Sequence, residues 1–198
     1  MKTLLLAFYS FALLICSVSL TAETAVESCK KQFDDALYQQ ALPVCKQAAE
    51  MGDSPSQTML GEIYDQTGDS VKTKKWWRRA ADSGYQPARN LLALKYFYGG
   101  TVLGSEKGWQ QDYKKAFELW IEDSKKGVAT SQFMIGVMYQ KGYGVTKDLA
   151  ESWFWLKLAL GNGYKLATDV LIAVSREISP KQKQRGMTKL LQFQKLTD

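Results

Sequence analysis

Residues 135–145 read IGVMYQKGYGV, with three glycines in eleven positions between an apolar run and the basic stretch around Lys147. Read as a phosphate loop, these glycines require a strand before them and a helix opening directly after them. Read as punctuation, they end one helix and turn the chain toward the next. The surrounding residues decide for punctuation. Gly136 falls inside a helical pattern, Gly142 and Gly144 follow its end, and Asp148 with Glu151 has the spacing of a capping box opening another helix. The other glycine string, Gly99 to Gly104, is followed by Ser105 where a nucleotide loop needs lysine. Nucleotide binding is set aside.

The helical pattern is part of a repeat, visible from Gly52, Gly84, Gly127 and Gly163. Four residues after each stands a small side chain: Ser56, Ala88, Ser131, Ala167. Four further on come Leu60, Leu92, Ile135 and Leu171, followed directly by Gly61, Ala93, Gly136 and Ile172. Tyr64, Tyr96 and Tyr139 lie three beyond, with Ser175 in the last copy. Eight before the glycines are Val44, Trp76, Leu119 and Trp155. Spacings of three, four and eight are helical. A mid-helix glycine costs about 1 kcal/mol against alanine, a cost that makes sense where a neighbouring helix backbone comes close. Large aromatics such as Trp76 and Tyr139 then fill the wider gaps. Each unit reads as a helix, a turn and a second helix ended by glycine. Such units cannot bury their apolar faces alone and stack into a solenoid.

The spacing predicts units at 53–84, 85–127 and 128–163, with a helix pair over 23–52 before them and capping helices over 164–198 after them. The second of these units carries an insertion, GGTVLGSEKGWQQ, over 99–111. Ser179-Pro180 reads as an N-cap and first helical residue of a last amphipathic helix. Pro43 should kink the second helix of the N-terminal pair or mark a late start.

On these residues the chain resembles the Sel-1-like repeat family, a relative of the tetratricopeptide repeat. The carrying motif is residues 131–163, SQFMIGVMYQKGYGVTKDLAESWFWLKLALGNG, with its small–aliphatic–Gly–Tyr, Gly-x-Gly-Val, Asp, Trp and closing Gly. The other two units match more loosely, and the resemblance covers about residues 27–177. It implies an all-α fold, a right-handed α-solenoid of about ten helices in stacked antiparallel pairs. It also implies a non-enzymatic scaffold or adaptor for other proteins. The pattern around Cys29 and Cys45 is similar to that of secreted bacterial members, and the family brings no shared catalytic residues.

The first residues carry an address. Lys2 is the only charge before Glu23, Leu4 to Leu20 is nearly all apolar or small, and Ala22 offers a small residue for cleavage. We expect a signal peptide over 1–22 and a periplasmic or secreted protein. The rival reading is a membrane anchor, for which about 17 residues is at the short limit. Leu13-Leu14-Ile15-Cys16 is close to a lipoprotein box, but Ile15 is bulky for one. No later segment is long and apolar enough to span a bilayer. Cys29 and Cys45 remain, an even pair, each eight residues from Leu37 at the bend of a helix pair, and a disulfide is expected.

The formal net charge is +6, and residues 176–198 hold six basic and two acidic side chains. Such a tail suits an acidic partner or an anionic membrane, or is the solvated face of a terminal helix. Trp76-Trp77-Arg78-Arg79 invites a nucleic-acid reading, but the register puts Trp76 in the core, and nucleic acid is set aside. There is no histidine, which removes histidine triads, imidazole metal sites and the usual general base. We expect no catalytic residue, metal or cofactor. The alternative is an envelope enzyme of β-lactam or cell-wall chemistry on the same repeats, because a fold does not settle function.

In related repeats the first helices line a concave face. The corresponding positions here are Thr58, Glu62, Asp65 and Gln66, then Asn90, Leu94, Phe97 and Tyr98, then Phe133, Val137, Gln140 and Lys141. The expected partner-binding residues are Asn90, Leu94, Phe97, Tyr98, Phe133 and Val137, an apolar patch suited to a peptide or helix. The alternative is that they are core, since aromatic stripes at helical spacing are usually buried.

Overall fold

The computed structural model describes residues 23–99 and 108–197. The expected signal segment and most of the insertion lie outside them. All regular structure among the described residues is helical: α1 (23–34), α2 (Tyr38–Glu50), α3 (Ser54–Gln66), α4 (Ser70–Asp82), α5 (Gln86–Tyr98), α6 (Tyr113–Lys125), α7 (Ala129–Lys141), α8 (Leu149–Gly161), α9 (Ala167–Glu177) and α10 (Pro180–Thr197). The chain divides into two compact units, one ending at Ala88 and the other beginning at Arg89.

The closing glycines have one shared geometry. Gly52, Gly84, Gly127 and Gly163 have φ of 100°, 92°, 89° and 90°. In each case the next residue's N–H reaches back five residues, to the carbonyls of Ala48, Ala80, Asp123 and Ala159. The glycine's own N–H bonds the carbonyl three residues back. This is the Schellman arrangement, which satisfies carbonyls a helix end leaves open and needs a left-handed residue.

In the first unit the N-terminal pair has the same register as the pair after it, 32 residues on. Ala36 (φ 57°) ends α1 with the bonds that Gly68 (φ 76°) makes at the end of α3. Cys29 stands where α3 has Gly61, and Cys45 where α4 has Trp77. Gly61 lies against the Trp77 indole so closely that a Cβ on it would be 2.3 Å from Cδ1. In the N-terminal pair the Cys29–Cys45 disulfide, with Cα atoms 4.6 Å apart, fills that place. Around it close Ala25, Ala41, Ala48, Leu60, Ile63 and Trp76. Helix α2 starts at Tyr38 and runs through Pro43, so the late start does not occur. The carbonyl that loses its donor to Pro43 belongs to Gln39, at an exposed position that water reaches.

One correction concerns packing. What fills the space beside Gly61 is a side chain, the Trp77 ring, rather than a helix backbone. Gly136 meets both: a Cβ there would be 2.7 Å from Leu156 Cγ and 3.3 Å from its backbone nitrogen. Trp76 and Trp155 are buried as core, and the residue after each position of their row is buried in every copy. Cys45, Trp77, Trp120 and Leu156 are at most 1% exposed.

In the second unit a core of Leu149, Trp153, Leu156, Ala159, Ala167 and Val174 joins α8 and α9. Asp148 caps α8, accepting from the N–H groups of Ala150 (2.9 Å) and Glu151 (3.2 Å). The return half of the expected capping box is not made. Asp148's own N–H donates to the Tyr139 carbonyl, and both Glu151 oxygens accept from Lys189 Nζ at 2.6 Å. Arg185 pairs with Asp148. The acidic first turn of α8 thus holds the basic helix α10. Gly186 lets α10 approach closely, with a Cβ there 2.9 Å from the Ala150 carbonyl oxygen. Ser179 and Gln182 make a reciprocal capping box at the start of α10.

Candidate functional site

In the second unit α5, α7 and α9 border an open groove of about 510 Å³. Four of the expected partner-binding residues line it: Phe97, Tyr98, Phe133 and Val137. Helical spacing puts Phe133 and Val137 one turn apart on α7, and α9 brings Val170 and Ala173 to the other wall. Lys141 and Asp169 also line the groove, so it has one charge of each sign beside an apolar floor.

Phe97 is at the base. It is 7% exposed and its ring centroid lies 4.9 Å from that of Tyr98, 5.1 Å from Tyr113, 5.6 Å from Trp120 and 5.7 Å from Tyr143. Tyr113 and Tyr143 stack at 4.6 Å. Edge-to-face contacts of this kind make a stiff wall. Tyr98, at 43% exposure, is the aromatic ring the groove offers to solvent. Phe133 and Val137 are half-buried, with Phe133 against Tyr164 at 5.0 Å.

Asn90 and Leu94 do not line this groove. Asn90 accepts a hydrogen bond from Trp120 Nε1 at 2.8 Å and fixes a buried indole, so its polarity satisfies the core. Leu94 is half-buried one turn away. The register missed Met134, which lines the groove, while Gln140, one of its concave positions, is buried on the groove wall.

The equivalent positions of α3 are polar and belong to the first unit. Thr58 is buried; its hydroxyl donates to the Ser54 carbonyl and its carbonyl accepts from Trp77 Nε1 at 3.1 Å. Burial, and then the charge of Asp65, raise the pKa of Glu62 above its ordinary value.

The second unit also holds a buried ion pair. Asp123 takes the register place of Ala48, Ala80 and Ala159, and Arg89 that of Gln57 and Gln132. The two glutamines each donate to a carbonyl of the preceding helix, Ala49 and Ser124, at 3.0 Å. Arg89 instead pairs with Asp123. Burial raises the Asp123 pKa and the Arg89 charge opposes that shift. No group of three or more metal-ligating side chains occurs among the described residues. No described helix is long and apolar enough to cross a membrane.

These features define a protein of tandem helix pairs, the first four closed by a left-handed glycine, with an aromatic groove on the first helices. The Sel1 repeat model matches residues 54–85, 87–122 and 129–164, and the chain belongs to the Sel1 repeat family. It is 30% identical over 136 residues to the chitin synthase regulator SKT5 of Saccharomyces cerevisiae, covering 66% of this chain and 19% of that protein. It is 25% identical over 125 residues to HRD3A of Arabidopsis thaliana, an ERAD-associated E3 ubiquitin-protein ligase component, covering 55% of this chain and 17% of that one. The chain thus spans about a fifth of the length of these curated relatives. Among solved structures it is similar to c5321, a protective antigen of uropathogenic Escherichia coli with an SLR fold. That match has a TM-score of 0.67 and 26% identity, covering 78% of this chain and 32% of that one. A Sel1 repeat protein from Oxalobacter formigenes matches with a TM-score of 0.58 and 26% identity, over 69% of this chain and 39% of that one. The fold is therefore an all-helical solenoid of the SLR type.

Proposed function

We propose that the protein is a non-enzymatic interaction scaffold that holds a partner polypeptide in the groove of α5, α7 and α9. The observation that carries this reading is the groove itself: a rigid aromatic base at Phe97, a solvent-facing ring at Tyr98, and an aliphatic wall at Val137. An amphipathic helix or extended peptide laid there would bury its apolar residues, and Lys141 and Asp169 would set its direction. Relatives described as a regulator and as a ligase component support a role within larger assemblies. We further propose that it works in the periplasm or as a secreted protein. The apolar segment before Ala22 and the Cys29–Cys45 disulfide support an oxidising destination.

The test places a photo-crosslinking amino acid at Tyr98 and, as a control, at exposed Val71 on α4. A discrete partner captured from envelope extract at position 98, absent at 71 and lost in a folded Val137→Asp variant, supports the groove. Equal capture at both positions, or capture unaffected by Val137→Asp, overturns it.

A further inference from the structure

A second cleft, of about 720 Å³, lies elsewhere in the second unit, where the C-terminal ends of α6 and α8 meet the C-terminal half of α10. It shares no lining residue with the groove above. Its floor is apolar: Leu158 and Leu160 from α8, Leu190 and Phe193 from α10. Its rim is cationic, with Lys125, Lys126 and Lys157. Lys125 is engaged by Glu122 at 2.8 Å, and Lys157 lies over the Trp153 ring at 5.7 Å. Lys126 is exposed, and its charge acts on Glu122 and Asp123 of α6. No acidic side chain lines the cleft. Its edge is braced, because Asn162 Nδ2 donates to Gln132 Oε1 at 2.8 Å and to the Gly127 carbonyl at 3.3 Å. Gly161 keeps it open: a Cβ there would meet nothing within 4 Å.

We propose that this cleft binds an acidic peptide segment carrying an apolar side chain. Carboxylates of the segment face Lys126 and Lys157, and the apolar residue sits on Leu158, Leu190 and Phe193. Charge complementarity selects the anion. The form of the cleft selects peptide over lipid. The rim at Gly161 and Asn162 is exposed and would leave an acyl chain in water.

The experiment probes the full chain with an array of synthetic ten-residue peptides in which the numbers of glutamate and of leucine or phenylalanine vary independently. The best binder is then measured in solution by fluorescence anisotropy, beside its glutamine-for-glutamate twin and vesicles of phosphatidylglycerol. The expected result is binding that needs both residue classes and weakens with salt. It should fall at least tenfold in Lys126→Glu/Lys157→Glu and be unchanged in Val137→Asp. Because Lys157→Glu removes a contact to Trp153, Gly161→Tyr is the second variant; it fills the cleft from an open helical position and should also abolish binding. Equal binding by the glutamine twin, binding unchanged in both cleft variants, binding to vesicles alone, or no binding by any peptide overturns the proposal. Loss in Val137→Asp alone places the peptide in the other groove and likewise overturns it.

Discussion

Gly61 and Trp77 fit as void and filler within one helix pair. The indole donates its Nε1–H to the Thr58 carbonyl at 3.1 Å, which fixes the ring across the face of Gly61. Gly61→Ala sets a helix-propensity gain of about 1 kcal/mol against overpacking of about 1–3 kcal/mol. Overpacking wins, because the ring is 1% exposed and has no room to retreat. We expect net destabilisation of up to about 2 kcal/mol in urea unfolding. A gain in stability would show that the ring moves freely.

The same register holds Cys29 and Cys45 one repeat earlier. Their bridge closes a loop of 16 residues, so reducing it should cost about 3 kcal/mol. Cys29→Ala/Cys45→Ala should show that loss without reductant and no further loss with it. A parent protein whose unfolding midpoint ignores reductant would contradict this.

Much of the helix order was legible because glycine, aromatic and small residues recur at fixed spacing. Partner choice was less legible. Trp76 and Trp77 are adjacent, identical and both buried, so spacing alone could not say which one seals Gly61. Glu151 lies three residues from a helix cap, which suggested a local bond, but its partner Lys189 is 38 residues away. Asn90 looked like a surface polar residue because sequence does not show the Trp120 indole waiting for an acceptor. The groove was half legible: helical spacing brought out Phe133 and Val137, while Asp169, Val170 and Ala173 come from a helix that had been read only as a cap.

Arg89 and Asp123 replace the neutral residues of the other copies with buried charge. Asp123→Ala removes the buried carboxylate that faces the Arg89 guanidinium, itself only 11% exposed, and should cost about 3–5 kcal/mol. Arg89→Gln/Asp123→Ala, which restores residue types found elsewhere in the repeat, should recover most of that loss. A double-mutant cycle by chemical denaturation checks it; additive losses would show that the pair does not act as a unit.

Glu62 offers a pH signature. Its folded pKa is raised above the ordinary 4.5, first by burial and then by Asp65. The fold therefore holds the proton more tightly than the unfolded chain does. The associated stability is fully present below the ordinary value and is lost as pH rises through the folded one. Glu62→Gln should be more stable than the parent at pH 7, with the difference vanishing below pH 4.5. Melting temperatures from about pH 3.5 to about pH 7.5, on both sides of that value, would reveal it. A variant less stable than the parent at neutral pH would mean that the carboxylate has a favourable partner.

Helix α10 is held to α8 by a close backbone approach as well as by charge. Lys189 grips Glu151, Arg185 pairs with Asp148, and Gly186 sits where any Cβ would lie 2.9 Å from the Ala150 carbonyl oxygen and 3.1 Å from Trp153. The ion pairs are at the surface, and exposed pairs contribute about 0–1 kcal/mol each. The glycine contact is therefore the critical one. Gly186→Val places a branched side chain against backbone that cannot yield, so α10 should lift from α8. Lys189→Gln removes a charge pair and leaves the approach intact. Limited trypsin digestion reads the difference, since α10 holds Lys181, Lys183, Arg185, Lys189 and Lys195. Cleavage within α10 should speed up at least tenfold in Gly186→Val and less than threefold in Lys189→Gln, on the order expected for losses of more than about 1.4 and less than about 0.7 kcal/mol in local opening. The reverse ranking would make the ion pairs, and not the packing, what keeps the basic helix in place.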